Sequence, residues 1–161
     1  MSKAITFTII FEVSALNRDE KIGGNILSIK TLTRFSKDVF SYISRGALRH
    51  YTYTTLNNYD ENTWKPAECY GDGEVVQFDL SKENILTSAE IDTFGYMYTN
   101  NTPTLTRKGV LGITKATSLE KYTGDMQFNA NHDVAKRALL NPDPVNKREH
   151  LSYFKASFTL D

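Results

Sequence analysis

The sequence predicts an α+β fold, and three observations carry that prediction. Ile5, Phe7, Ile9, Phe11 and Val13 alternate with Thr6, Thr8, Ile10 and Glu12, the period of a strand with one face in a core. Phe154, Ala156, Phe158 and Leu160 alternate in the same way late in the chain. Between them, Val39, Ile43 and Ala47 recur at helical spacing, with Phe40 and Leu48 beside them. The 161 residues suit one domain with a real core.

The elements follow in order. After the first strand, Ser14 to Ser36 reads as a long polar loop, a length that in a compact domain usually marks either function or disorder. Ser36 is the predicted N-cap of a helix over about residues 37–50, with Asp38 favourable in its first turn. On that helix Arg45 and Arg49 lie one turn apart, away from the apolar stripe. Tyr51 to Leu56 is rich in β-branched and aromatic residues and reads as a short strand. Residues 57–74 hold many breakers and read as loop, and Val75 to Leu80 as a short strand. Thr87 and Glu90 fit a capping box before a helical turn at about 88–94, which Gly95 ends. Residues 101–131, dominated by Thr, Gly and Lys, read as a protruding β-hairpin or finger around Lys108–Gly109 or Tyr122–Asp125. Asp133 to Leu140 reads as a short helix, and Asn141 to Pro144 as a rigid turn before the last strand.

Charge is zoned although the formal net charge is zero. Residues 1–56 carry 8 Lys/Arg against 4 Asp/Glu, residues 57–95 carry 2 against 9, and residues 96–161 carry 9 against 6. A neutral total of this kind leaves room for a basic face. Cys69 is the only cysteine, which excludes an internal disulfide and a thiolate metal site and suits a reducing, cytoplasmic location. No stretch is apolar enough to span a bilayer or to form a signal peptide.

Signs of catalysis are thin. His50, His132 and His150 show no metal-ligand spacing, and the glycines match no phosphate-binding loop. Asp60–Glu61, Asp72–Glu74 and Glu90–Asp92 are close carboxylate pairs of the sort that solvated acidic loops carry. No cofactor or metal is expected. Nucleic-acid binding has more support. Arg18, Lys21, Lys30, Arg34, Arg45 and Arg49 fall within 32 residues, and Arg107, Lys108, Lys115 and Lys121 line the predicted finger. Such cations neutralise phosphates without reading sequence. Asn17, Asn25, Ser44 and Thr114 offer hydrogen bonds to phosphate or ribose, and Phe35, Tyr51 and Tyr53 offer stacking surfaces.

Several segments together resemble a known family. They are Leu16-Asn17-Arg18-Asp19-Glu20, Gly23-Gly24-Asn25, Ser44-Arg45-Gly46-Ala47-Leu48-Arg49, Glu90-Ile91-Asp92-Thr93-Phe94-Gly95 and the late strand Tyr153 to Asp161. In order and spacing they resemble the backbone subunit of type I CRISPR Cascade complexes, most closely subtype I-B. The resemblance implies an RNA-recognition-motif-like (ferredoxin-like) palm over residues 1–161, with an acidic insertion at about 57–95 and a thumb at about 101–131. It implies a non-catalytic subunit that coats the guide RNA (crRNA), stacks with copies of itself and other Cascade subunits, and presents the guide to target DNA in antiviral defence. It carries over Asn17, Arg18, Ser44, Arg45 and Arg49 as guide contacts, and more loosely Arg107, Lys108 and Lys115. Asn25, Lys30 and Arg34 complete the candidate RNA-binding set. The family pattern has Gln where Gly46 stands, and its members continue past the position of Asp161, so a C-terminally truncated palm is expected. The rival readings are a CRISPR RNA-processing endoribonuclease using His50 or His132 as base, and a structural or oligomerisation domain with no nucleic-acid role.

Overall fold

The long strand β1 (Ile5–Ser14) is followed by four short ones: β2 (Arg18–Asp19), β3 (Ile26–Ile29), β4 (Thr31–Arg34) and β5 (Asp38–Ile43). Next come helix α1 (Arg45–Tyr59), β6 (Cys69–Asp72), β7 (Val75–Phe78), α2 (Ala89–Phe94), β8 (Gly95–Tyr98), β9 (Leu105–Lys108), β10 (Leu111–Ile113) and β11 (Ala116–Ser118). The chain closes with β12 (Met126–Ala130), α3 (His132–Arg137), β13 (Pro144–Arg148) and β14 (Leu151–Leu160). The computed structural model describes residues 3–14, 18–19, 26–35, 37–72, 75–99 and 103–161. The fold is α+β and mostly antiparallel, as the sequence predicts.

The chain divides into two compact units. The sheet unit comprises Thr8–Arg45 and Lys115–Ala156. The helix unit comprises Met1–Phe7, Gly46–Thr114 and Ser157–Asp161. Strands β1 and β14 contribute residues to both.

In the sheet unit the strand order is β1-β14-β11-β5-β4. Register is fixed by the pairs Ser118–Phe154, Thr117–Lys155, Thr117–Tyr42, Ala116–Ile43 and Leu32–Phe40. One side of these strands is core: Ile43, Ala116, Phe154 and Ala156 are buried, and Phe11 stacks on Phe154 with ring centroids 6.3 Å apart. The same core is unusually rich in hydroxyls. Ser41, Ser118 and Ser152 are buried but partnered: Ser41 N–H donates to Ser118 Oγ (3.1 Å), Ser118 Oγ donates to Glu120 O (2.9 Å) and Ser152 Oγ donates to Tyr153 O (3.2 Å). Each bond offsets the desolvation that a buried hydroxyl would otherwise cost. A second sheet in this unit runs β12-β13-β3-β2, with β13 parallel to β3.

The helix unit packs α1 and α2 with two hairpins, β6–β7 and β8–β9, and with the pairing of β10 to the end of β14. Its buried residues include Leu48, Ile91, Phe94, Ile113 and Phe158. Phe7 stacks on Phe158 at 5.1 Å.

The two terminal strands, the strand at 75–80 and the short helices near 88–94 and 133–140 appear where the sequence places them, but Ile5, Phe7 and Ile9 of β1 are exposed instead of facing a core. Five expectations need correction, the first being the predicted loop at 57–74, which contains β6 (Cys69–Asp72) because that segment pairs with β7. The predicted helix at 37–50 is instead β5 up to Ile43, then α1 from Arg45. Val39, Phe40 and Ile43 also fit a strand, and pairing to β4 and β11 decides the matter. The predicted strand at 51–56 lies within α1. There Leu48, Thr52, Tyr53 and Leu56 make an inward stripe of helical period, which overrides the β-propensity of Tyr and Thr. The predicted loop from Ser14 to Ser36 contains β2, β3 and β4, because Leu27, Ile29 and Leu32 find partners in two sheets. Residues 101–131 do not form one finger: β9 pairs with β8, β10 and β11 both pair with β14, and β12 pairs with β13. Ser36, the predicted N-cap, lies outside the described residues.

Candidate nucleic-acid interface

The side of the sheet unit opposite its core carries cations and rings in register. Ser41 and Ile43 turn into the core, so their neighbours Phe40 and Tyr42 turn outward. Tyr42 stands opposite Thr117, which stands opposite Lys155. Tyr42 N–H donates to Lys30 O at 2.9 Å, which sets the Lys30 backbone beside Tyr42 on the side of β5 away from Thr117. The Lys115 ammonium lies 4.9 Å from the centroid of the Tyr42 ring, a cation–π contact. One transverse row therefore reads Lys30, Tyr42, Thr117, Lys155. The adjacent row holds Leu32 opposite Phe40, and Tyr153 two residues before Lys155 on β14, with Tyr153 48% exposed. Beyond it, Arg34 pairs in register with Asp38. The Asp38 carboxylate accepts an ion pair from Lys121 at 3.0 Å, which neutralises an acid on this face.

Of the candidate set, Lys30, Arg34 and Lys115 thus meet on one surface. Ser44 is half-buried just before α1, and Arg45 opens that helix, exposed to solvent. The other candidates are placed differently. Asn17 and Asn25 lie outside the described residues. Arg18 Nη1 donates to the Arg148 carbonyl at 2.6 Å, tying β2 to the end of β13. Arg49 belongs to the helix unit and, contrary to the predicted outward direction, is half-buried with its guanidinium 4.9 Å from the Phe94 centroid. Arg107 is engaged by Asp92: Nη2 meets Oδ1 at 2.6 Å and Nη1 donates to the Asp92 carbonyl at 2.8 Å. Lys108 is exposed, 3.9 Å from the Asp161 carboxylate. Thr114 Oγ1 accepts from Ser157 N–H at 2.9 Å. Arg18, Arg45 and Arg49 are therefore divided between the two units rather than confined to one.

Phe40, Tyr42, Tyr153 and Lys155 were not among the sequence candidates. A signal for them existed: once Phe154, Ala156 and Phe158 are assigned inward, Tyr153 and Lys155 must face out. Tyr42 and Phe40 were hidden by the helical reading of the β5 segment.

The histidines give no catalytic geometry. His50 is exposed within α1 in one unit, and His132 is exposed at the start of α3 in the other. His150 Nδ1 lies 2.7 Å from Ser41 Oγ, the spacing of a nucleophile and its base. Ser41, however, has 0% exposure and His150 5%, so no substrate reaches the pair. Burial pushes the His150 pKa down and favours the neutral ring. Cys69 is exposed, yet partial desolvation of its sulfur, reinforced by Glu90 and Glu83, pushes the thiol up. Among the described residues no group of three His, Cys, Asp or Glu side chains could hold a metal. Asp60 instead closes the turn after α1, accepting from Thr63 Oγ1 at 2.6 Å. No described helix is long and apolar enough to cross a membrane.

The family model of the CRISPR-associated negative auto-regulator DevR/Csa2 matches residues 5–161. The chain belongs to the DevR/Csa2 family. No curated protein matches it. DevR/Csa2 membership makes this a CRISPR-associated, Cascade-type protein, the broad class that the sequence segments imply. One of those segments, Glu90 to Gly95, has a clear structural task in this DevR/Csa2 protein. Ser88, rather than Thr87, caps α2 by accepting from Ile91 N–H, while the Glu90 carboxylate accepts from Ala67 N–H at 3.1 Å. Asp92 holds Arg107, and Gly95 ends the helix at φ +70°. A Cβ on Gly95 would overlap the Arg107 carbonyl and the Gly109 nitrogen, so only glycine fits.

Proposed function

We propose that this chain is a non-catalytic guide-RNA-binding subunit of a type I-B Cascade complex. Copies of it assemble along one crRNA, together with other Cascade subunits, and hold the guide for pairing with target DNA in antiviral defence. The observation that carries the reading is the outward row of the sheet unit, where Tyr42 stands between Lys30 and Lys155 with Lys115 over its ring. Phosphates attract cations regardless of sequence, and unpaired bases stack on aromatic rings. A sheet that alternates the two grips a single strand, in the manner of RNA-recognition-motif domains. The contacts we assign are Lys30, Arg34, Lys115 and Lys155, with Arg45 and Ser44 at the head of α1. Sequence is then read by base pairing, while the protein supplies grip and shape, the division seen in RNA-guided systems.

Replacing Lys30, Lys115 and Lys155 together with Ala tests this. Affinity for single-stranded RNA should fall for all sequences alike. The slope of log affinity against log salt should shrink by about 2, at roughly 0.7 per phosphate contact on single strands. Arg107→Ala is the control, and it should leave both quantities unchanged because Asp92 already holds that guanidinium. An unaltered affinity and slope in the triple variant would overturn the proposal.

A further inference from the structure

We propose that Phe35 is a stacking surface for an unpaired RNA base. The inference rests on RNA binding by the neighbouring sheet face and adds to it a specific aromatic contact. Phe35 sits at the tip of the β4–β5 hairpin, directly after Arg34, and is 88% exposed. Its φ is +53°, and Lys37, two residues on, has φ +95°. A bulky side chain disfavours the left-handed region, where glycine or asparagine would relax the turn. The protein thus holds a large apolar ring in water on a strained backbone, a combination that folding alone does not favour. Strain of this kind concentrates at functional positions.

The surroundings select the ligand. Arg34 and Lys37 lie one residue before and two after Phe35 in the chain, both exposed, and neither forms an ion pair among the described residues. The one acid at the hairpin's closing pair, Asp38, is occupied by Lys121. An exposed apolar ring with a cation close on each side in the chain complements a nucleobase and its neighbouring phosphates. Stacking on a ring tolerates any base, which suits a subunit that leaves sequence reading to pairing.

The experiment uses the full chain and a short single-stranded RNA carrying 2-aminopurine, whose fluorescence is quenched by stacking. Wild type should bind and change the emission. Phe35→Ala should weaken binding roughly 5- to 100-fold, the range for one base–aromatic stack. It should abolish the emission change and leave the salt slope unaltered, because no phosphate contact is lost. Phe35→Trp should restore both signals. Phe35→Gly should lose affinity as Ala does without losing thermal stability, which separates contact from folding. If wild type binds RNA but Phe35→Ala matches it in affinity and emission, the stacking inference falls and the sheet-face reading stands. If wild type fails to bind RNA, both fall. A loss of self-association without any change in RNA emission would make Phe35 a protein contact and overturn the inference.

Discussion

His150 is surrounded by Tyr122 and Phe154 rings at 5.4 and 6.5 Å and hydrogen-bonded to Ser41. Desolvation lowers its pKa, opposed by the carboxylates of Glu120 and Asp125 and by a hydrogen bond with the Lys121 backbone. The direction fixes a pH dependence. Above about pH 6.5 the ring is neutral in both the folded and the unfolded chain, and its contribution to stability is complete. As pH falls below that value, the unfolded chain takes up a proton that the folded chain refuses, so stability declines until the lowered folded pKa is passed. Urea midpoints should therefore drop between about pH 7 and pH 5, and His150→Gln should flatten that drop. A slope identical in wild type and variant would show that the ring's burial is unimportant to acid sensitivity. Arg107 carries a second lesson at this scale. A cation counted along a sequence is available to a ligand only if no carboxylate has claimed it, and Asp92, fifteen residues away, has done so.

At the level of elements, α1 is where sequence and structure diverge most. Leu48, Thr52, Tyr53 and Leu56 turn inward, the Tyr53 ring meets Phe94 edge-on at 6.4 Å, and its hydroxyl donates to the Trp64 carbonyl. Exposed Thr54 lies in mid-helix, so Thr54→Pro should cost about 3 kcal/mol by removing a backbone hydrogen bond and clashing with the preceding turn. Thermal melting checks this, and a near-neutral effect would mean that the helix breaks earlier. The terminal strands were legible because their alternation is long and unambiguous. The β5–α1 segment was not, because six residues with Val39, Phe40, Tyr42 and Ile43 fit either period and the partners, β4 and β11, come from opposite directions along the chain. The candidate site shared that fate. Lys30, Arg34 and Lys115 are visible as cations, but Tyr42, beside Lys30 and Lys115, reads as part of a helix. Register, and not residue type, shows that Lys155 joins them, and no one-dimensional pattern reports register across three strands.

For the whole molecule, zoned charge and a neutral total have a consequence for assembly. Basic faces on a chain with no net charge can approach one another on RNA without strong mutual repulsion. If copies line a guide as proposed, particle mass measured on RNAs of increasing length should rise in steps of one 18.3 kDa chain. A mass that stays at a single chain however long the RNA would exclude coating. The path of the chain through the sheet unit sets a further condition. In the order β1-β14-β11-β5-β4, the strand that carries Phe154 has neighbours on both sides and follows every other strand of that order along the chain. On the ribosome, Phe11, Ile43 and Ala116 must wait for it with their apolar surfaces wet and two strand edges unpaired. This sheet is thus most prone to aggregation just before β14 emerges, and that interval is when a chaperone would matter most.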